Sequence, residues 1–287
     1  MKKYNNELLK YGFQESTKFK GVLPGVIDIL GGIGMSTAIV KMHGYEAKGM
    51  DALETINTCE ILNEISNDNV EDTEIVENLD FTQEEVVLGG SYSPEEPIKV
   101  SNKTTLKMGE NSSITGPVFV SASDADGNVV ETDSYGIHVV KGGDLTIDGD
   151  GVIEAQKATY SMAVWAQGGK VTIKDGIFKN DGDGCDLIYA SAGGKVEIYG
   201  GEFHPTKRIG LEDGTKNDYT ALNLKNNGAD GCEIIVYGGT FYNFDPAHNK
   251  SESDAWIAAH PNGFVAEGYK SVKRDGENIW DVVKDDE

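Results

Sequence analysis

Aspartates are the residues of this chain best suited to do chemistry. Asp148 and Asp150 stand two apart, Asp181, Asp183 and Asp186 form a second group, and Asp213 and Asp218 a third. General acid–base work on a glycosidic bond needs two carboxyls facing one groove, about 5–10 Å apart. Asp148 and Asp175 would satisfy this if adjacent turns of a repeat brought them together. Yet Asp148-Gly149-Asp150-Gly151 and Asp181-Gly182-Asp183-Gly184 are also what tight turns look like, because aspartate bonds its own backbone and glycine tolerates positive φ. A cation to complete a catalytic set is scarce, since Arg208 and Arg274 are the two arginines. Turn formation is the expected role of these aspartates, and no catalytic residue is assigned.

The remaining constellations fall short in similar ways. Asp124-Ala125-Asp126-Gly127-Asn128 starts like a calcium loop, but the twelfth position, where an EF-hand carries glutamate, is Tyr135. A β-turn is the expected structure. His43, His138, His204, His248 and His260 show no paired spacing, so solvated or hydrogen-bonded histidines are expected and no metal ligand is assigned. Cys59, Cys185 and Cys232 are odd in number and far apart, which gives neither a disulfide framework nor a zinc spacing. Gly31-Gly32-Ile33-Gly34 lacks the lysine of a phosphate-binding loop, and no cofactor is expected. Tyr160, Trp165, Tyr189, Tyr199, Tyr219, Tyr237 and Tyr242 could line a sugar-binding face. Tyr199 and Tyr237 fall at the same outward place of a repeat and should stack.

That repeat is what must position all these groups. Gly168-Gly169-Lys170-Val171-Thr172-Ile173-Lys174-Asp175-Gly176-Ile177-Phe178 returns almost unchanged as Gly193-Gly194-Lys195-Val196-Glu197-Ile198-Tyr199-Gly200-Gly201-Glu202-Phe203. Gly142-Gly143-Asp144-Leu145-Thr146-Ile147 precedes it and Cys232-Glu233-Ile234-Ile235-Val236-Tyr237-Gly238-Gly239-Thr240-Phe241 follows. Ile147, Ile173, Ile198 and Val236 are equivalent, at steps of 26, 25 and 38 residues. Apolar residues alternate within each copy, which is the period of a half-buried strand. A third apolar run closes each copy, around Val164-Trp165, Ile188-Tyr189 and Leu222-Asn223. Three short strands per repeat of about 25 residues make a parallel β-helix, where stacking supplies the core that one turn lacks. The 38-residue step hides an inserted loop at 204–218.

The formal net charge is 25 − 48 = −23, which excludes a general basic surface for nucleic acid and disfavours anionic membranes. The chain divides in character near residue 85. Residues 1–20 carry five lysines and two glutamates, and a short helix or arm is expected at 4–11. Residues 21–40 are apolar but contain Pro24, Asp28 and five glycines, so an attachment segment is expected there and not a membrane span. No apolar signal-peptide core is evident at the start. Residues 52–65 have helical apolar spacing, and 67–80 reads as an acidic linker. From Glu85 the β language begins, with a first irregular coil over 86–116 and a polar excursion at 121–132. At the end, Asp275-Gly276 turns a hairpin that could cap the last coil.

The Gly-Gly-Lys-Val-Thr-Ile-Lys-Asp-Gly-Ile-Phe pattern and the closing Gly268-Tyr269-Lys270 to Ile279-Trp280 segment resemble the right-handed parallel β-helix, or pectate-lyase-like, superfamily. They are similar to repeats in fibre and surface proteins of tailed phages, crAss-like phages among them, and of gut bacteria. The resemblance implies an all-β chain, with an N-terminal anchoring region at 1–84 and a right-handed parallel β-helix with its capping hairpin at 85–283. It also implies a structural head- or tail-fibre component of a bacteriophage virion, made in the host cytoplasm and displayed at the capsid or tail surface. Such a component associates with other virion proteins through its N-terminal region, forms a homotrimer, and can adhere to a host-surface glycan. The alternatives are a polysaccharide-degrading lyase or hydrolase of the same fold, or a bacterial surface carbohydrate-binding module. The enzymes of the superfamily use clustered aspartates with histidine and an Arg-Lys pair, or calcium with an arginine base. This sequence departs from both patterns, so the expectation is no enzyme.

Overall fold

The computed structural model describes residues 79–182, 186–207, 219–248 and 251–285, and the backbone of two strands at 27–30 and 39–42. The chain divides into two compact units, Met1–Asp72 and Thr73–Glu287. In the first, β1 (Ile27–Leu30) pairs antiparallel with β2 (Ile39–Met42), with Ile27 opposite Met42. The helices expected at 4–11 and 52–65 lie outside the described residues, as does the 67–80 linker up to residue 78. No helix among the described residues is long and apolar enough to cross a membrane.

The second unit is built of β-strands that visit three sheets in rotation. The first circuit is β3 (Glu85–Leu88), β4 (Ser91–Tyr92) and β5 (Ile98–Val100). The second is β6 (Lys103–Met108) and β7 (Ser113–Gly116), then an extra strand β8 (Val118–Ser123), then β9 (Val129–Val140). The third is β10 (Asp144–Asp148), β11 (Val152–Ala158) and β12 (Tyr160–Gln167); the fourth is β13 (Lys170–Ile173), β14 (Ile177–Gly182) and β15 (Ile188–Ser191). The fifth is β16 (Lys195–Ile198), β17 (Glu202–His204) and β18 (Leu222–Leu224), and a sixth breaks off after β19 (Glu233–Val236) and β20 (Gly239–Tyr242). A short helix α1 (Asp254–Ala259) and the strands β21 (Tyr269–Lys273) and β22 (Ile279–Lys284) end the chain.

The first sheet runs β3-β6-β10-β13-β16-β19, the second β4-β7-β11-β14-β17-β20-β22-β21, and the third β5-β9-β12-β15-β18. Pairing between circuits is parallel and in register, with Ile147 opposite Ile173, Ile173 opposite Ile198 and Ile198 opposite Val236. Each inward position thereby becomes a column. On the second sheet the column ends in Phe178, Phe203 and Phe241, whose rings stack at 5.0 and 4.6 Å and are fully buried. Parallel strands need both faces accounted for. Here the outer face of the first sheet is charged, and ion pairs Lys107–Glu85 (2.7 Å), Lys174–Asp148 (3.2 Å) and Lys195–Glu233 (3.1 Å) cross between circuits.

The segment 86–116 differs from its expected single coil. It holds one whole circuit and two strands of the next. The repeat is masked there because Thr104 occupies the inward place taken by Leu145 and Val171 in later circuits. Its buried hydroxyl lies 3.0 and 2.9 Å from the carbonyl oxygens of Phe81 and Gln83. The excursion at 121–132 is an antiparallel hairpin arm of β8 with the start of β9. In the expected insertion at 204–218, Lys207 bridges Tyr219; 208–218 lie outside the described residues.

The C-terminal edges of the three sheets are closed by three devices. On the first, the Val236 N–H donates to the Phe264 carbonyl and the Ala266 N–H to the Val236 carbonyl, both at 2.9 Å. On the second, β22 pairs antiparallel with β20, as the closing hairpin was expected to do, and Arg274 holds Asp281 through bonds of 2.7 and 2.8 Å. On the third, two side chains take the place of a strand. The Ser251 hydroxyl donates to the Leu222 carbonyl at 3.0 Å, and the Glu252 carboxylate accepts the Leu224 N–H at 2.9 Å. Unpaired strand edges invite foreign pairing, so each closure also protects the stack.

Candidate functional site

The aspartates are dispersed by the register. Lys174, not Asp175, stands beside Asp148 on the next circuit and pairs with it. The Asp175 carboxylate instead accepts the following N–H, that of Gly176, at 2.9 Å. Asp150 and Asp181 are exposed, and Asp186 accepts from the Asn223 amide at 2.9 Å on the outside of the third sheet. Asp183, Asp213, Asp218 and Arg208 lie outside the described residues. The Asp124 carboxylate accepts from the backbone of Asp126 (2.9 Å) and Asn128 (2.8 Å) and from the Asn128 amide (2.9 Å). It closes the tip of the arm as a turn, and these bonds hold it below the usual carboxylate range. Among the described residues no three His, Cys, Asp or Glu side chains are grouped to hold a metal.

The histidines are partnered within the fold. His204 lies 3.1 Å from Glu202 and stacks on Tyr242 at 3.9 Å; His248 lies 3.2 Å from Asp245; His260 meets the Trp256 carbonyl at 2.9 Å. Cys232 is buried, its thiol 2.5 Å from Asp230, and burial pushes it above the usual thiol range. His43, Cys59, Cys185 and Gly31 to Gly34 lie outside the described residues.

The aromatic residues are distributed over separate faces. Tyr199 and Tyr237 stack at 4.7 Å and 7°, as their equivalent places require, with Tyr269 edge-on. Trp165 and Tyr189 belong to a different row, on the outer face of the third sheet. There Lys99, His138, Trp165, Tyr189 and Asn223 succeed one another in register. His138 lies flat on Trp165 at 4.2 Å and 5°, Tyr135 meets Trp165 edge-on at 4.9 Å, and Tyr189 follows at 6.3 Å. Phe119 of the arm packs edge-on against Tyr135 at 5.1 Å, and Tyr135 and His138 are buried. Burial pushes His138 below its usual range. Of the aromatic members of the row, Trp165 and Tyr189 are therefore the half-buried ones.

This shelf is held rigidly. The Trp165 indole N–H donates to the Ser191 hydroxyl at 2.8 Å, and the His138 ring nitrogen lies 3.0 Å from the Gln167 side-chain oxygen. Both partners stand two residues beyond a row member on neighbouring strands, so each ring is tied across a ladder. Burial, and then the negative charges of Asp186, Cys232, Asp230 and Glu252, raise the Tyr189 phenol to about 12. The sequence places Trp165 and Tyr189 on a candidate aromatic face but not Tyr135, read there as the twelfth position of a loop, or His138, read as a solvated or hydrogen-bonded histidine. A signal was present: Ile137-His138-Val139, Val164-Trp165-Ala166 and Ile188-Tyr189-Ala190 are one aliphatic–aromatic–aliphatic triplet.

Glu252 is the buried ionisable group that closes this sheet. Burial raises it from its ordinary 4.5 to about 7, against the opposing bond from the Leu224 N–H. A carboxyl whose folded pKa is raised stabilises the fold fully below its unfolded value and loses that contribution as pH rises through the folded one. Stability should therefore fall between about pH 4.5 and 7, by about 2 kcal/mol after allowance for residual hydration. His138 opposes this, since its lowered pKa favours the fold as pH rises. The comparison that isolates Glu252 is with Glu252→Gln, which keeps the acceptor and removes the charge. Urea midpoints for the two proteins should converge at pH 4.5 and separate by pH 8, the variant being the more stable. Parallel profiles would refute the assignment.

Compared with family models, with curated proteins and with solved structures, the chain matches none.

Proposed function

We propose that residues 85–283 form a right-handed parallel β-helix and that the chain is a structural appendage of a bacteriophage virion, a head or tail fibre anchored by residues 1–84. In-register parallel pairing of three sheets visited in rotation supports the β-helix. The appendage adheres to a cell-surface glycan, and the observation that carries this is the Trp165–Tyr189 shelf with its half-buried polar margin of Gln167 and Asn223. Aromatic faces suit the C–H face of a sugar ring, and the polar margin suits its hydroxyls. Several copies associate as a homotrimer. Val118, Val120, Val129 and Val130 on the arm, each 44–55% exposed, provide apolar surface for association.

A polysaccharide-degrading enzyme is the weaker reading. Asp148 is neutralised by Lys174, Asp281 by Arg274, and Glu252 is occupied in closing a sheet. The appendage is tested by mass spectrometry and antibody-gold labelling of virions from a phage–host culture that makes the chain. Label at the capsid or tail surface is expected. Recovery only in the bacterial cell fraction would overturn the virion assignment in favour of a bacterial surface module.

A further inference from the structure

Residues 251–260 close the third sheet from a loop whose two ends are tied to each other. The Phe264 N–H donates to the Pro246 carbonyl at 2.9 Å, and the Phe264 carbonyl and Ala266 N–H are in turn bonded to Val236 of the first sheet. Gly263 completes this base: at φ +55° it passes so close that a Cβ would lie 2.4 Å from the Pro246 carbonyl oxygen. A loop pinned at its base can leave its seat without drawing the ladders apart. The seat on the third sheet is small. The Ser251 hydroxyl donates to the Leu222 carbonyl at 3.0 Å, the Glu252 carboxyl accepts the Leu224 N–H at 2.9 Å, and the Ser253 N–H donates to the Asn227 side-chain oxygen at 2.8 Å.

The first two of these groups copy a missing strand, the hydroxyl donating as an N–H would and the carboxyl oxygen accepting as a carbonyl would. A protonated carboxyl does this without charge, whereas an ionised one must hold its charge where Glu252 is 6% exposed. Its surroundings offer no compensating cation. Asp186, bonded to Asn223 between the two seats, adds negative charge, and Tyr189 of β15 is neutral. Lys225, next along from Leu224, is exposed, as are Asp254 and His260 on the loop itself.

We propose that residues 251–260 form a pH-sensitive strap: ionisation of Glu252 unlatches it from β18 and bares the edge at Leu222 and Leu224 while the circuits stay folded. Closure favours the protonated carboxyl. It is therefore strongest below the ordinary carboxyl value and weakens as pH rises through the raised one. With the carboxyl moved from 4.5 to about 7 in the closed strap, opening should become about tenfold more frequent between pH 6 and pH 8.

The test is residue-resolved hydrogen exchange of the full chain at pH 6 and pH 8, corrected for the intrinsic effect of pH on amide exchange. Protection of the Leu224 amide, which Glu252 holds directly, should fall about tenfold. The Ile188 amide donates to Ala221 at 2.8 Å, within the pairing of β15 with the β18 segment, and should keep its protection. Glu252→Gln, which retains the acceptor and leaves His260 in place, should keep Leu224 equally protected at both pH values. Unchanged protection of Leu224 in the parent would overturn the proposal. So would a fall shared equally by Ile188, which would mean that the sheet opens and not the strap. The same fall in the Glu252→Gln variant would assign the titration to another group and overturn it as well.

Discussion

Phe203→Ala is expected to destabilise the second unit by about 4 kcal/mol, within the range for truncating a buried phenylalanine. Phe203 is the middle ring of three, with Phe178 on one side at 5.0 Å and Phe241 on the other at 4.6 Å, and none of the three is exposed. Truncation removes the transfer free energy of one large ring and two stacking contacts of about 0.5–1.5 kcal/mol each. The void cannot collapse easily, because backbone ladders on both sides fix the spacing of the circuits. Lys195→Ala, by contrast, removes an exposed ion pair with Glu233 and should change stability by under about 0.5 kcal/mol. Urea unfolding of the two variants beside the parent gives the comparison. A loss at Phe203 no larger than that at Lys195 would mean that the column does not hold the circuits together.

The column of Ile147, Ile173, Ile198 and Val236 was legible in the sequence because a period of two specifies which side of a strand is buried, and the glycine corners mark where strands end. The closing hairpin was legible for a similar local reason, Asp275-Gly276 being a turn signal. What a local pattern does not carry is the neighbour on the next circuit. That depends on the register, and a slip of one residue exchanges one cross-circuit partner for another. Asp148 illustrates this: counting near the repeat length brings Asp175 close, yet the ladder delivers Lys174. The second circuit was illegible because Thr104 breaks the apolar column and the arm lengthens the step from Leu106 to Ile147 to 41 residues. The shelf was half legible. Trp165 and Tyr189 lie 24 residues apart and His138 precedes Trp165 by 27, near the repeat length, but a histidine between aliphatic residues does not read as a member of an aromatic row. Glu252 was not legible at all, since a side chain standing in for a missing strand leaves no periodic trace.

Gly149→Ala tests how closely the circuits approach at their corners, and it should cost about 4 kcal/mol. Two terms contribute. Gly149 has φ of +109°, and an L-residue on that side of the map costs about 1–2 kcal/mol. A Cβ there would also lie 2.1 Å from the Met108 carbonyl oxygen of the preceding circuit. That oxygen belongs to backbone and cannot swing aside as a side-chain tip would, so the corner must separate, at a further cost of about 1–3 kcal/mol. Gly127, at the tip of the arm, separates the terms. Its φ is +83°, and a Cβ there meets nothing within 4 Å, so Gly127→Ala should carry the conformational cost alone, about 1–2 kcal/mol. The difference between the two variants in urea midpoint then reads the contact between circuits. If both lose the same stability, the corners have room to spare. The aspartates flanking Gly149 would then need another explanation than a turn drawn tight between stacked backbones.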